Sequence, residues 1–137
     1  MEFIRKTEKI FEDANFIRQL GVNILKIEKG YCETEIEIKD FHKQQHNFIH
    51  AGVIATLADH TAGAAATTIA KPDEEVLTIE FKINFLRPAD GEKIRCESRL
   101  IREGKKIMVA ESDVFSLKGG IEKSVAKAIV TLTAAEF

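Results

Sequence analysis

The sequence predicts an α+β fold in which a curled antiparallel sheet wraps around one long apolar helix. The stretch 51–70 is the longest apolar run of the chain, and six segments of alternating apolar and polar residues flank it, two before and four after. The later strands are joined by turns too short for the crossover that parallel strands need, which makes the sheet antiparallel. Such a sheet must bury one face, and only the stretch 51–70 is apolar enough to cover it.

The elements follow one another in a simple order. Apolar residues at near-helical spacing predict a helix over 2–20, ending at Gly21, and a polar, histidine-rich loop occupies 40–50 before the long helix. Lys71-Pro72-Asp73 ends the long helix because a residue before proline disfavours the helical region. Period-two alternation predicts the strands. They are 22–29, 31–38, 77–85, 93–100, 107–117 and 123–133.

Length and composition indicate a single globular domain over 1–137. Of the residues, 45% are hydrophobic and 31% charged, and the net charge of -2 disfavours a large nucleic-acid-binding surface. The two cysteines form no Cys-x-x-Cys pair, and the N-terminus lacks the apolar core of a signal peptide, so we expect a reducing, cytoplasmic location. Asp59 lies near the middle of the apolar stretch, which argues against a membrane span.

One face of the long helix combines small residues with a single carboxylate. Ala55, Asp59, Ala62, Gly63 and Ala66 share this face by their spacing of three and four residues. Tight packing of a core helix explains the small residues. A carboxylate on a buried helix is costly, however, so Asp59 should have hydrogen bonds, a partner charge or a catalytic role.

The segment 44–63 carries the most informative motif. It contains His50-Ala51-Gly52, then Leu57-Ala58-Asp59, and Gly63 one turn later, while the strand 78–89 ends in Arg87-Pro88-Ala89. This pattern resembles the hotdog-fold acyl-CoA thioesterases of the phenylacetate-degradation (PaaI-type) group, and the resemblance covers nearly the whole chain. It implies a hotdog fold, an acyl-CoA substrate and no cofactor other than the coenzyme A that the substrate carries.

The resemblance also implies how a thioester would be hydrolysed. Asp59 would act as general base or as nucleophile through a mixed anhydride. The helix N-terminus supplies free N–H groups near Ala51 and Gly52 that can polarise a carbonyl. Asp59 lies two turns from Gly52, and the resemblance implies that it serves the helix N-terminus of a partner subunit. We therefore expect a homodimer or a dimer of dimers.

Three positions depart from the family pattern but keep a hydrogen-bonding group. Ala51 replaces the first glycine after His50, Gln44 replaces an asparagine, and Thr78 replaces a serine. His50 is expected to be structural or to orient the thioester. Strand alternation places Thr78 on the polar face, so it reaches the site only if that face lines a subunit interface.

Other charged groups allow two interpretations each. Five basic residues in the second half of the chain would contact the coenzyme A phosphates or form an exposed strand face. They are Arg87, Arg99, Arg102, Lys105 and Lys106. His42, His46 and His50 would share one face if their segment were helical and could then bind zinc; we expect no metal. Neither nucleic acid nor membrane is expected as a partner.

Two further functions remain open at this stage. A hotdog 3-hydroxyacyl thioester dehydratase would use a histidine with a carboxylate, for which His50 and Asp59 are available. A non-catalytic acyl-CoA binding module would need neither. The sequence contains no Gly-x-Ser-x-Gly motif, which argues against an α/β-hydrolase route to ester hydrolysis.

Overall fold

The predicted architecture is confirmed by a computed structural model that describes all 137 residues. Six strands form one antiparallel sheet in the order β1-β2-β4-β5-β6-β3, curled around the long helix α3. None of the helices is both long and apolar enough to cross a bilayer. The helices are α1 (Glu2–Glu12), α2 (Asn15–Leu20) and α3 (Ala51–Thr67). The strands are β1 (Val22–Glu28), β2 (Tyr31–Glu37), β3 (Glu75–Phe85), β4 (Lys93–Glu103), β5 (Ile107–Lys118) and β6 (Ile121–Ala135).

The N-terminal helix differs from the prediction because it is divided into α1 and α2. Ala14 has extended backbone angles and interrupts the helical hydrogen bonding, so that α2 starts in a new direction. Gly21 ends α2 in the left-handed conformation, with φ of 79°, which glycine adopts without steric cost. Helix α1 packs against α3, and α2 packs against α1 and β1.

The core lies between α3 and the inner face of the sheet. Helix α3 is apolar over most of its surface, and its alanines allow the strands to approach closely. Ile36, Ile94 and Leu132, from three different strands, are fully buried against it. Burial of each such side chain contributes about 1.5–3 kcal/mol relative to exposure. The helix is thus held mainly by apolar contact with the sheet.

The outer face of β2 and β4 is polar, as the alternation predicts, and its charges are paired. The Arg95 guanidinium contacts Glu33, Glu97 and Glu122 at 2.7–3.0 Å, and lies 4.8 Å from the ring centre of Phe115. The side chain of Arg95 is only 19% exposed. This one residue therefore joins four neighbouring strands on the solvent side.

Strand β3 forms one edge of the sheet and contains a bulge. It pairs only with β6, and the register shifts between Thr78 and Glu80, so that Ile79 has no partner opposite. Thr78 pairs with Leu132, which is fully buried. Paired residues point to the same face of a sheet, so Thr78 lies on the inner face. The expectation of an outer-face Thr78 is wrong because the bulge changes the alternation.

Candidate active site

The N-terminus of α3 is capped by His50. Its backbone is extended, with φ of -62° and ψ of 136°, and its Nδ1 accepts a hydrogen bond of 2.8 Å from the Gly52 N–H. The backbone N–H of Val53 bonds to the His50 carbonyl at 3.0 Å, whereas the Ala51 N–H has no acceptor within the chain. The first turn therefore offers one free donor, on Ala51, because the cap occupies the donor of Gly52.

The loop before α3 is closed by its own hydrogen bonds. Gln44 donates its backbone N–H to the Phe48 carbonyl at 2.9 Å, and Asn47 turns the chain with φ of 68°. The side-chain oxygen of Gln44 accepts a hydrogen bond from the backbone N–H of His46. The amide of Gln44 is thus engaged within the loop, next to the start of α3.

A cleft of about 640 Å³ adjoins the N-terminus of α3. Four residues that the sequence singled out line it: Gln44, His50, Ala51 and Arg87. The remaining walls are mostly apolar, and they were not predicted as site residues, although Pro88 and Ala89 belong to the motif at the end of β3. The sequence feature that could have identified these wall residues is the concentration of apolar residues at the start of α3 and the end of β3. They are Phe48, Ile49, Ile54, Phe85, Leu86, Pro88 and Ala89.

Asp59 and Thr78 form a second group, away from this cleft. The hydroxyl of Thr78 donates to Oδ1 of Asp59 at 2.7 Å, and Asp59 is half-buried with no ion pair. The bulge at Ile79 makes this contact possible because it turns Thr78 toward α3. Seven residues of helix separate Asp59 from Gly52, which is about 10 Å along the axis. The two groups therefore do not meet within one chain.

The basic residues are not brought together either. Arg87 lies at the cleft, but Lys105 lines another cleft of about 360 Å³ beyond the C-terminal end of α3, near Ile69. Arg99 lies on the outer face, where it bonds to Glu111 at 2.9 Å. Arg102 and Lys106 are exposed near the β4–β5 turn. Only Arg87 adjoins the N-terminus of α3 in the single chain.

The three histidines of the loop do not share a helix face. Residues Asp40–His42 form one 3₁₀ turn, and the chain after it is a loop. His42 is buried, with Nδ1 accepting from the Lys39 N–H at 2.9 Å and Nε2 donating to the Leu20 carbonyl at 2.8 Å. His50 caps α3 as described above. A zinc site shared by the three histidines would require all three on one face of a helix. Because this helix does not form, that alternative is wrong.

Comparison with known proteins agrees with the fold and with the esterase chemistry. Residues 46–123 match the family model described as "Thioesterase superfamily", which is more than half of the chain. A putative esterase of Saccharolobus solfataricus is 34% identical over 92% of this chain and 88% of its own. A medium/long-chain acyl-CoA thioesterase, YigI of Escherichia coli, is 27% identical over 74% of this chain and 75% of its own.

A solved structure extends the match to nearly every residue. The crystal structure of a thioesterase family protein from Silicibacter pomeroyi superposes with a TM-score of 0.96 and 30% sequence identity, covering 98% of this chain and 99% of that one. The curled sheet, the long central helix and the family match are those of a hotdog thioesterase. The chain therefore belongs to the thioesterase superfamily and is an enzyme of the thioester hydrolase class.

Proposed function

We propose that this protein is an acyl-CoA thioesterase in which Asp59 is the general base or the nucleophile. The observation that carries the proposal is the carboxylate of Asp59. One of its oxygens is held by Thr78 at 2.7 Å, no cation neutralises it, and the side chain is half-buried on the central helix. A carboxylate so placed is oriented but still reactive.

The second half of the proposed site is the start of α3. The free N–H of Ala51 and the positive end of the helix dipole would stabilise the oxyanion that develops on a thioester carbonyl. The adjoining cleft, with Phe48, Ile54 and Phe85 in its walls, would hold the acyl group or the pantetheine arm. Arg87 at the same cleft would pair with a coenzyme A phosphate.

The two halves would meet across a dimer. Asp59 lies about 12 Å along α3 from the Ala51 N–H of its own chain, too far for both to contact one carbonyl. Strand β3 is an edge strand whose Leu77, Ile79 and Phe81 are exposed, and exposed apolar edges favour pairing with another chain. A second copy joined along this edge would bring its helix N-terminus toward Asp59. The assembly we propose is a homodimer, or a dimer of dimers.

The reaction then has two possible routes. As general base, Asp59 removes a proton from water, hydroxide adds to the thioester carbon, and the C–S bond breaks as the proton passes to the leaving coenzyme A thiolate. As nucleophile, its carboxylate displaces coenzyme A and water hydrolyses the mixed anhydride. Both routes yield the free acid and coenzyme A.

The substrate class is inferred from relatives and from the motif. An acyl-CoA substrate is supported by the acyl-CoA thioesterase among the relatives. The segment from His50 to Asp59 supports the narrower PaaI-type subfamily. The dehydratase alternative is disfavoured, because the imidazole of His50 bonds to its own helix and lies nine positions along the chain from Asp59, more than two helical turns away.

The experiment is release of coenzyme A thiol from a panel of acyl-CoA esters, measured with a thiol reagent. We expect Asp59→Ala to lower turnover on the order of a hundredfold or more, with the fold unchanged by circular dichroism. Asp73→Ala, at an exposed position in the turn after α3, is the matched control and should retain wild-type turnover. Full activity of Asp59→Ala would refute the proposal, as would absence of thiol release from every ester.

A further inference from the structure

Four consecutive residues of α3 each bond to a different element of the fold. The Ser112 hydroxyl of β5 donates to the Ala58 carbonyl at 2.8 Å, and Thr78 of β3 donates to Asp59. The Nε2 of His60 donates to the Ile10 carbonyl of α1 at 3.1 Å, and Thr61 shares a hydrogen bond of 2.8 Å with Thr34 of β2. We call residues 58–61 and these partners the Asp59 collar.

Outside the collar, residues 51–67 of α3 make no polar side-chain contact with the strands, and a further tie is at the C-cap, where the Thr68 hydroxyl accepts a hydrogen bond of 2.7 Å from the Gly30 N–H in the β1–β2 turn. Thr56 and Thr67 bond back to carbonyls of the helix itself, and the remaining contacts with the sheet are apolar. Because α3 is mostly apolar and rich in alanine, its apolar packing alone does little to fix its rotation or its position along the axis. The polar contacts of the collar supply that constraint at the turn that bears Asp59.

The buried hydroxyl groups of the collar cannot contact solvent or a ligand at the surface. Ser112, Thr34 and Thr61 are completely buried. Ser98, also fully buried, lies 2.6 Å from Ser112, and because Ser112 donates to Ala58 the hydroxyl of Ser98 must donate to Ser112. Burying hydroxyls in an otherwise apolar core is favourable only when their bonds are satisfied, and all of these are.

We infer that Ser112 and the Thr34–Thr61 pair are positioning residues that hold the carboxylate of Asp59 in its reactive place. This inference rests on the proposed function, since it assigns these residues to the step that Asp59 performs. They act through the backbone of α3 and touch no substrate. Small displacements of a catalytic group lower the rate far more than they lower binding.

The first test compares two serines on the same face of β5. Ser112→Ala removes the tie to Ala58, whereas Ser116→Ala removes a similar buried bond to the Asp90 carbonyl, away from α3. We expect Ser112→Ala to lower kcat on the order of tenfold or more with KM within about twofold. Ser116→Ala should keep the wild-type kcat. Equal losses of kcat in both variants would make the role one of general stability and overturn the inference.

The second test uses the threonine pair. Thr61→Val is isosteric but leaves the buried hydroxyl of Thr34 without a partner, so this single variant should be destabilised. The double variant Thr34→Val with Thr61→Val removes both hydroxyls and should therefore unfold at nearly the wild-type urea concentration. We expect kcat to stay low in this double variant and to recover in Thr61→Ser, which keeps the hydroxyl. Wild-type kcat in the double variant would overturn the inference. If Asp59→Ala is inactive while the Ser112, Thr34 and Thr61 variants are all fully active, the positioning inference fails and the proposed function stands. An active Asp59→Ala overturns the proposed function.

Discussion

Two inactive variants of this protein should restore each other's activity, because the proposed site takes one half from each subunit. The first variant is Ala51→Pro, which removes the one free N–H at the start of α3. Proline is favoured at the first helical position, and His50 before it is already extended, with ψ of 136°, as a residue before proline must be. The second variant is Asp59→Ala. Both changes should leave the fold intact.

The expected recovery follows from the symmetry of a dimer. Each variant alone should lose on the order of a hundredfold or more of its activity, through the oxyanion donor or through the base. Random association of equal amounts makes about half of the dimers mixed, and each mixed dimer has one intact site out of two. The mixture should therefore reach about a quarter of the wild-type activity per chain.

The assay is thiol release after the two chains are unfolded together in urea and refolded. The control is Asp59→Ala mixed with Asp59→Asn, which damages the same half and should regain nothing. Size-exclusion chromatography with light scattering should show dimers or larger assemblies throughout. Recovery no greater than that of the control, or a fully active wild-type monomer, would refute the shared site.

Three further predictions concern the cap, the outer face and the cleft. His50→Ala should lower the free energy of unfolding by about 1 kcal/mol in urea, and His50→Asn should restore most of it, because asparagine is also a good cap. The Arg95 guanidinium lowers the pKa of Glu122. The stabilisation of the fold by this ion pair is therefore complete above the ordinary carboxyl pKa and is lost as the pH falls below it. Arg95→Met should therefore cost about 2 kcal/mol near neutral pH and progressively less as the pH falls below about 4 toward the lowered pKa of Glu122, whereas a pH-independent cost would contradict the pairing. Arg87→Ala should raise KM for acyl-CoA while leaving kcat unchanged, and the increase should shrink at high salt, as expected for a phosphate contact.

Much of the fold follows from hydrophobic periodicity alone. The apolar helix, the alternating strands and the short turns leave only one way to bury the sheet, and the position of Asp59 on α3 follows from its place in that helix. The face of Thr78 could not be predicted, because a bulge is one extra residue that alternation does not reveal. The capture of the Gly52 donor by His50 depends on backbone angles in the preceding loop, which are set by contacts along the loop.

The collar and the cleft lie at different places along α3, so the position of Asp59 and the shape of the cleft can change independently. Its four bonds fix one turn of α3, while the cleft at the start of the helix is lined by Phe48, Ile54 and Phe85, which take no part in them. Exchanging these apolar side chains would reshape the proposed acyl-binding space without moving the carboxylate of Asp59, the proposed base or nucleophile. If Asp59 has the proposed role, substitutions at one end of the helix would adapt the architecture to new thioesters while the carboxylate in the middle of the helix stays in place.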